Sequence, residues 1–344
     1  MSVDDADREV MLPRETAVLF GHDGAERALL DAYKSGRIPH AWLIGGPSGI
    51  GKATLAYRLA RFVLAHPDPK SPAVQQATSL AVAADHPVAR RLAAQAQTDF
   101  FVLERVINDQ TGKLFTVSRV EDVRKAVRFF ATTAGEGGWR IAIVDTADEL
   151  ERPSANALLK VMEEPPPRAL LLLVSQAPGR LLPTIRSRCR RLDLRPLSAE
   201  DVTRAVAAAT GRGMADVEVK EAAAAAEGSV ARAIGFLDGP SLAMRQRVLD
   251  LFAQLPNPAP RALHALGDAL SGSEPQTLAA FMDLVNAWLS AQVSGGSRPA
   301  RQAARTAAVW EKVNRAARDV ETYNLERKPL VFAVFGLLAE AARG

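Results

Sequence analysis

The sequence predicts an α/β nucleotide-binding domain followed by an all-helical half, and three observations carry that expectation. Residues 41–64 place a short apolar run, a glycine-rich turn and an amphipathic segment in immediate succession. Apolar runs at 99–103, 140–145, 169–174 and 191–194 then alternate with helical patterns, the order of a parallel sheet with helices on both faces. From Ser198 onward no strand pattern appears, and helical spacing continues to the end of the chain.

Residues 1–16 read as a mobile leader, and Val18-Leu19-Phe20-Gly21-His22 as the first packed segment. A helix is expected over 24–35, with Leu29, Leu30 and Tyr33 on one side and Gly36 closing it. The stretch 66–98 is rich in alanine and proline without a sheet period and reads as an insertion of short helices. Ser118 and Glu121 have capping-box spacing, so a helix should start near 119 and run to about 131, with Val123, Val127 and Phe130 inward. A loose loop at 135–138 precedes the strand that ends in Asp145. The next helix, 154–164, is stopped by Pro165, Pro166 and Pro167. A short helix fits 181–186 before the last strand. A helix starts at 198, and others fit 216–227, 229–237, 241–254, 260–271, 275–293, 300–320 and 329–342.

The turn Gly46-Pro47-Ser48-Gly49-Ile50-Gly51-Lys52-Ala53-Thr54 has the GxxxxGK spacing of a phosphate cradle. Its glycines allow backbone angles that turn successive N–H groups inward, at the positive end of the helix that Lys52 opens. Lys52 then supplies a point charge to the β and γ phosphates. One position departs from the pattern: Ala53 stands where a hydroxyl should reach Mg²⁺, and Thr54 is rotated about 100° further round the helix.

Composition bounds the rest. With 344 residues, 48% of them hydrophobic, the chain can hold two or three domains with real cores. No apolar run approaches the ~20 residues of a membrane span, and the acidic start MSVDDADREV is unlike a secretory signal, so no membrane partner is expected and the cytoplasm is the default location. The single cysteine, Cys189, excludes an internal disulfide and any multi-cysteine zinc site. Five scattered histidines lack ligand spacing, so no resident metal is expected from the chain alone. A formal charge of +4 does not by itself imply a nucleic-acid partner.

Three further runs carry chemistry. Asp145 ends its strand where a P-loop protein places the carboxylate that reaches Mg²⁺, and Thr146 follows where an ATPase has a water-positioning glutamate. A hydroxyl cannot accept a proton at neutral pH as a carboxylate does, so the hydrolytic half of the site is disabled. Asp148 and Glu149 read as solvated turn residues. In NALLKVMEEPP, Glu163 and Glu164 sit in the last helical turn, where the macrodipole disfavours negative charge and a positive partner should offset them. Arg186, Arg188, Arg190 and Arg191 cluster around Cys189, a small buried residue on this reading, at a place suited to offering an arginine to a phosphate on another subunit.

HAWLIGGPSGIGKAT, NALLKVMEEPP, LLLVSQAPGRLLPTIRSRC and the helical second half together resemble the clamp-loader branch of the AAA+ family, in detail over about residues 17–237. That resemblance implies three domains: an AAA+ P-loop domain at 1–196, a small helical lid at 197–238 and a helical oligomerisation collar at 239–344. It makes residues 46–54 the P-loop, Asp145 the Walker B aspartate, Ser175 the sensor 1 position and Arg188 the arginine finger acting in trans. The run Gly228 to Arg232 becomes the sensor 2 helix, with Ala231 in the place of the expected arginine. Related subunits carry a four-cysteine zinc module where 66–98 has none, so no zinc is expected. Ala53, Thr146 and Ala231 all depart in one direction. The resemblance then implies a stator-like subunit of the DNA-directed DNA polymerase III holoenzyme that binds ATP or ADP, with Mg²⁺ only if nucleotide is bound, and no longer hydrolyses it. Its implied partners are the motor and delta subunits and, through the assembled complex, the sliding clamp and primed DNA. Two alternatives stay open: an active motor-type ATPase using Thr54 or water for the magnesium shell, and a nucleic-acid-binding scaffold using the arginine cluster.

Overall fold

Strands β1 (Ala41–Gly45), β3 (Arg140–Val144) and β4 (Ala169–Ser175) are buried at every position, because side chains alternate between two faces that are both covered by helices. The computed structural model describes residues 11–104, 120–131, 138–237, 239–271, 275–294, 300–323 and 325–343. Within them β2 (Phe100–Leu103) and β5 (Arg190–Asp193) complete a parallel sheet of order β2-β3-β4-β1-β5. Trp42, Ile44, Ile141, Ile143, Leu170 and Leu172 pack on one face with α1 (Asp23–Lys34), α2 (Lys52–Ala65), α3 (Pro72–Gln76) and α4 (Pro87–Ala93). Leu43, Ala142, Val144, Leu171 and Leu173 pack on the other with α5 (Val120–Ala131), α6 (Arg152–Glu163) and α7 (Pro183–Arg186).

The 66–98 stretch forms the two short helices α3 and α4. It is part of the core, since Val74, Leu80, Val88 and Leu92 are all buried in the same hydrophobic cluster as α2 and that face of the sheet. Ser118, on which the expected capping box depends, and the loop at 135–137 lie outside the described residues. α6 opens at Arg152, two residues before the expected start, with Pro153 in its first turn where a missing N–H does no harm.

The expected mobile leader needs correction from residue 11 on. Buried Arg61 donates to the carbonyls of Arg14 (2.9 Å) and Thr16 (3.2 Å), and buried Arg58 donates to that of Ala17. Guanidinium groups taken out of water require acceptors, and residues 11–20, a strap with a turn at 13–15, supply them as backbone carbonyls. Residues 1–10 lie outside the described residues.

Contacts divide the chain into two units, Met1–Ile234 and Gly235–Gly344. The first also holds α8 (Ala199–Thr210), capped by the Ser198 hydroxyl, then α9 (Val217–Ala225) and the start of α10 (Val230–Phe236). The second is a bundle of α11 (Gly239–Ala253), α12 (Pro260–Ser271), α13 (Pro275–Ser294), α14 (Ala300–Tyr323) and α15 (Arg327–Ala342). Phe281, Val285, Val313, Val331 and Phe335 fill its core. Among the described residues no strand follows Asp193, and no helix is long and apolar enough to cross a membrane.

Candidate functional site

β1 delivers its glycine-rich turn at the carboxyl edge of the sheet, where parallel α/β folds place their ligands. Gly46 has φ +143°, and a Cβ there would lie 2.6 Å from the Leu194 carbonyl oxygen. Gly49 has φ +72°, and a Cβ would lie 2.3 Å from the Ser229 hydroxyl and 2.7 Å from the Ala231 Cβ. Two outward carbonyls hold the turn. Gly49 O accepts from Val230 N (2.8 Å) and Ala231 N (3.3 Å), and Ile50 O accepts from His22 Nε2 (2.6 Å). Burial lowers the His22 pKa, which keeps the ring neutral and its Nε2–H on that carbonyl.

Lys52 is buried, and its ammonium donates to the Pro47 carbonyl within the same turn. Burial also lowers its pKa, while the carboxylates of Asp145 and Asp148 act the other way. Asp145 follows β3, and its Oδ1 accepts from Thr146 N at 2.8 Å. Thr146 has φ +51°, an unfavourable backbone state for a β-branched residue and one that clusters at working sites. Its hydroxyl oxygen and that of fully buried Ser175 have no hydrogen-bond partner among the described residues.

Asp148 is not the solvated turn residue the sequence suggested. Its carboxylate accepts from Gln176 N (2.9 Å) and Ala177 N (3.3 Å), tying the turn after β3 to the chain leaving β4. Those amides have passed the end of the ladder and need an acceptor. Glu149 beside it is half-buried.

A cleft of ≈ 450 Å³ lies over this floor. Ser48 to Thr54, Asp145 and Thr146 form its polar side; Leu12, Leu19, Leu197, Ala205, Ala209 and Ile234 belong to its apolar walls. The strap is joined to the α8 wall by Met11 N donating to Ala209 O at 3.1 Å. Thr54, expected to be turned away, borders the same cleft as Ala53, because the cleft runs over the first turn of α2 as far as the strap. Ala231 lines it too, whereas Arg232 is engaged with Glu227 at 3.0 Å. The glycine cradle, the first-turn amides of α2 and Lys52 fit a chain of phosphates, and the apolar walls fit a flat base. Among the described residues no three His, Cys, Asp or Glu side chains are grouped as a metal-ion site.

Arg188 is not among the residues bounding this cleft. It is exposed beyond α7, its Nη2 donating to Glu163 Oε1 (2.8 Å) and its Nη1 to Thr184 O (3.0 Å). The acidic end of α6 thus has the positive partner its dipole demanded. Arg191 is likewise paired, with Asp193 at 3.0 Å. Cys189 is half-buried, and burial pushes its thiol up to about 12, away from the thiolate form a nucleophile needs. The structure therefore gathers residues 46–54 and Asp145 in one place and sets Arg188 in another. The sequence reading missed His22, the strap and the role of Asp148; only the lone histidine ahead of α1 gave any local signal.

The sequence pattern of the family described as DNA polymerase III, delta subunit, matches residues 21–198, more than half of the chain. The chain belongs to that family. It is 38% identical over 150 residues to DNA polymerase III subunit delta' of Pseudomonas aeruginosa, covering 44% of this chain and 41% of that relative. To subunit delta' of Escherichia coli it is 34% identical over 164 residues, covering 47% and 44%. The chain thus spans less than half the length of these curated relatives. Among solved structures, a gamma subunit-related protein of Thermotoga maritima aligns over 92% of this chain and 100% of its own, with a TM-score of 0.45 and 16% identity. In this chain the expected architecture is present: a P-loop parallel sheet covered on both faces, then, among the described residues, helices alone.

Proposed function

We propose that this chain is a stator-like, delta prime-type subunit of the DNA polymerase III clamp loader, which helps place the sliding clamp on primed DNA and offers Arg188 to the ATP site of a neighbouring motor subunit. The observation that carries the reading is the separation of the two parts: a phosphate cradle lacking a catalytic carboxylate at Thr146, and an exposed arginine held away from it. Residues 46–54 would hold ATP or ADP, and Asp145 would reach a magnesium ion brought in with it. Bound nucleotide would supply charge to the P-loop. On this chain, Lys52 and the α2 amides bind it, while the strap, α8 and α10 exclude water from it. A guanidinium placed at a neighbour's γ-phosphate stabilises the charge that develops there and is worth roughly 10³ to 10⁵ in rate.

In the assembled loader, Arg188→Ala should lower clamp- and DNA-stimulated ATP hydrolysis by about 10³-fold or more, the order seen for such fingers. Unchanged turnover would remove the role. The position of Thr54 on the cleft favours a second reading, an active motor subunit. Single-turnover hydrolysis by the isolated chain, abolished by Lys52→Ala, would establish that reading in place of the stator. The scaffold reading is weakened by the ion pairs that already engage Arg188 and Arg191.

A further inference from the structure

Glu163 and Arg188 meet across 25 residues of chain, Glu163 at the end of α6 and Arg188 just beyond α7, and each helix has its own buried anchor. The last turn of α6 is anchored by Met162, which is buried and whose carbonyl accepts from His40 Nε2 at 3.0 Å. α7 is anchored by Ile185, fully buried against the sheet. Between these anchors the guanidinium donates from Nη2 to Glu163 and from Nη1 to the Thr184 carbonyl. Two acceptors on different nitrogens fix the plane of the group and leave Nε and the remaining N–H bonds for another anion. A carboxylate at a helix C-terminus opposes the macrodipole, so its presence there is explained by the partner it holds.

We propose that Glu163 is the positioning residue that preorients Arg188 for a phosphate on a neighbouring subunit, an inference that rests on the finger reading of Arg188. Ordering a long, rotamer-rich side chain beforehand removes that entropy from the reacting step. Glu163 itself never touches the phosphate.

The test uses the assembled loader with ATP, sliding clamp and primed DNA, carrying Glu163→Gln, Glu163→Asp or Arg188→Ala in this chain. Glu163→Gln should lower kcat about tenfold at unchanged KM for ATP, because the neighbour's own P-loop binds the nucleotide and only orientation is lost. Glu163→Asp should recover part of that loss. The melting temperature of the isolated full-length chain should stay the same, since half-exposed ion pairs contribute little to stability. In that isolated chain Glu163→Gln should also speed modification of Arg188 by phenylglyoxal, mapped by mass spectrometry. If Glu163→Gln turns over normally, or raises KM alone, while Arg188→Ala is inactive, the positioning role is overturned and the finger stands. If Arg188→Ala turns over normally, the finger reading falls and this proposal with it.

Discussion

Gly49 and His22 show how single residues set the cradle. Gly49 needs both a positive φ and the absence of a side chain, because the first residues of α10 press on it. Gly49→Ala should destabilise the first unit by about 2 kcal/mol, from the left-handed backbone and the forced separation from Ala231. Urea denaturation of the full chain measures this. His22 makes stability depend on pH. Burial holds its folded-state pKa below the ordinary value of 6.5, so the unfolded chain takes up the proton first as pH falls. Its contribution is therefore complete above about pH 6.5 and declines as pH drops through 6.5 toward the folded pKa. His66 is shifted the same way by burial and by His86, so it shares that window. Melting temperatures recorded between pH 7.5 and 5 should fall for the wild type, and His22→Ala should fall less steeply from a lower start.

At the scale of elements, the strap is the finding that local pattern concealed. α2 does two jobs: its first turn presents amides to the cleft, and its buried arginines, in the second and third turns, hold residues 14–17 along the cleft wall. Arg61→Met keeps the apolar stem and removes two charge-assisted hydrogen bonds. It should expose the strap to limited proteolysis and weaken ADP binding about tenfold, the effect of roughly 1.4 kcal/mol. Equal protection of wild type and variant from protease would separate the strap from Arg61. Asp148 works similarly between the ends of β3 and β4, where its carboxylate replaces a ladder partner for two backbone amides.

At the scale of the whole molecule, the chain carries two kinds of hydrophobic core. The first unit packs both faces of its sheet, and the second packs helix on helix around Phe281 and Phe335. Phe335→Ala should cost the bundle about 3–5 kcal/mol, the range for emptying a large buried site. Calorimetry should show one transition moved down and another unmoved, with ADP affinity unaltered. A single transition shifted as a block would show that the units unfold together.

The sequence by itself determined the order of elements, the apolar strands, the helical second half and the P-loop, because these rest on local periodicity and on glycine and proline chemistry that a linear chain displays. Leu171 and Leu173 announce a strand wherever that strand goes. It also flagged the misplaced charge of Glu163 through the helix dipole, though not the arginine that answers it. Only the tertiary structure decided that partner, the seating of residues 14–17 on Arg58 and Arg61, the grip of α10 on Gly49 and that of His22 on Ile50. Each joins groups distant along the chain through a backbone carbonyl or a half-buried charge. Every residue offers such a carbonyl, so sequence gives no means of telling which one a buried donor will find.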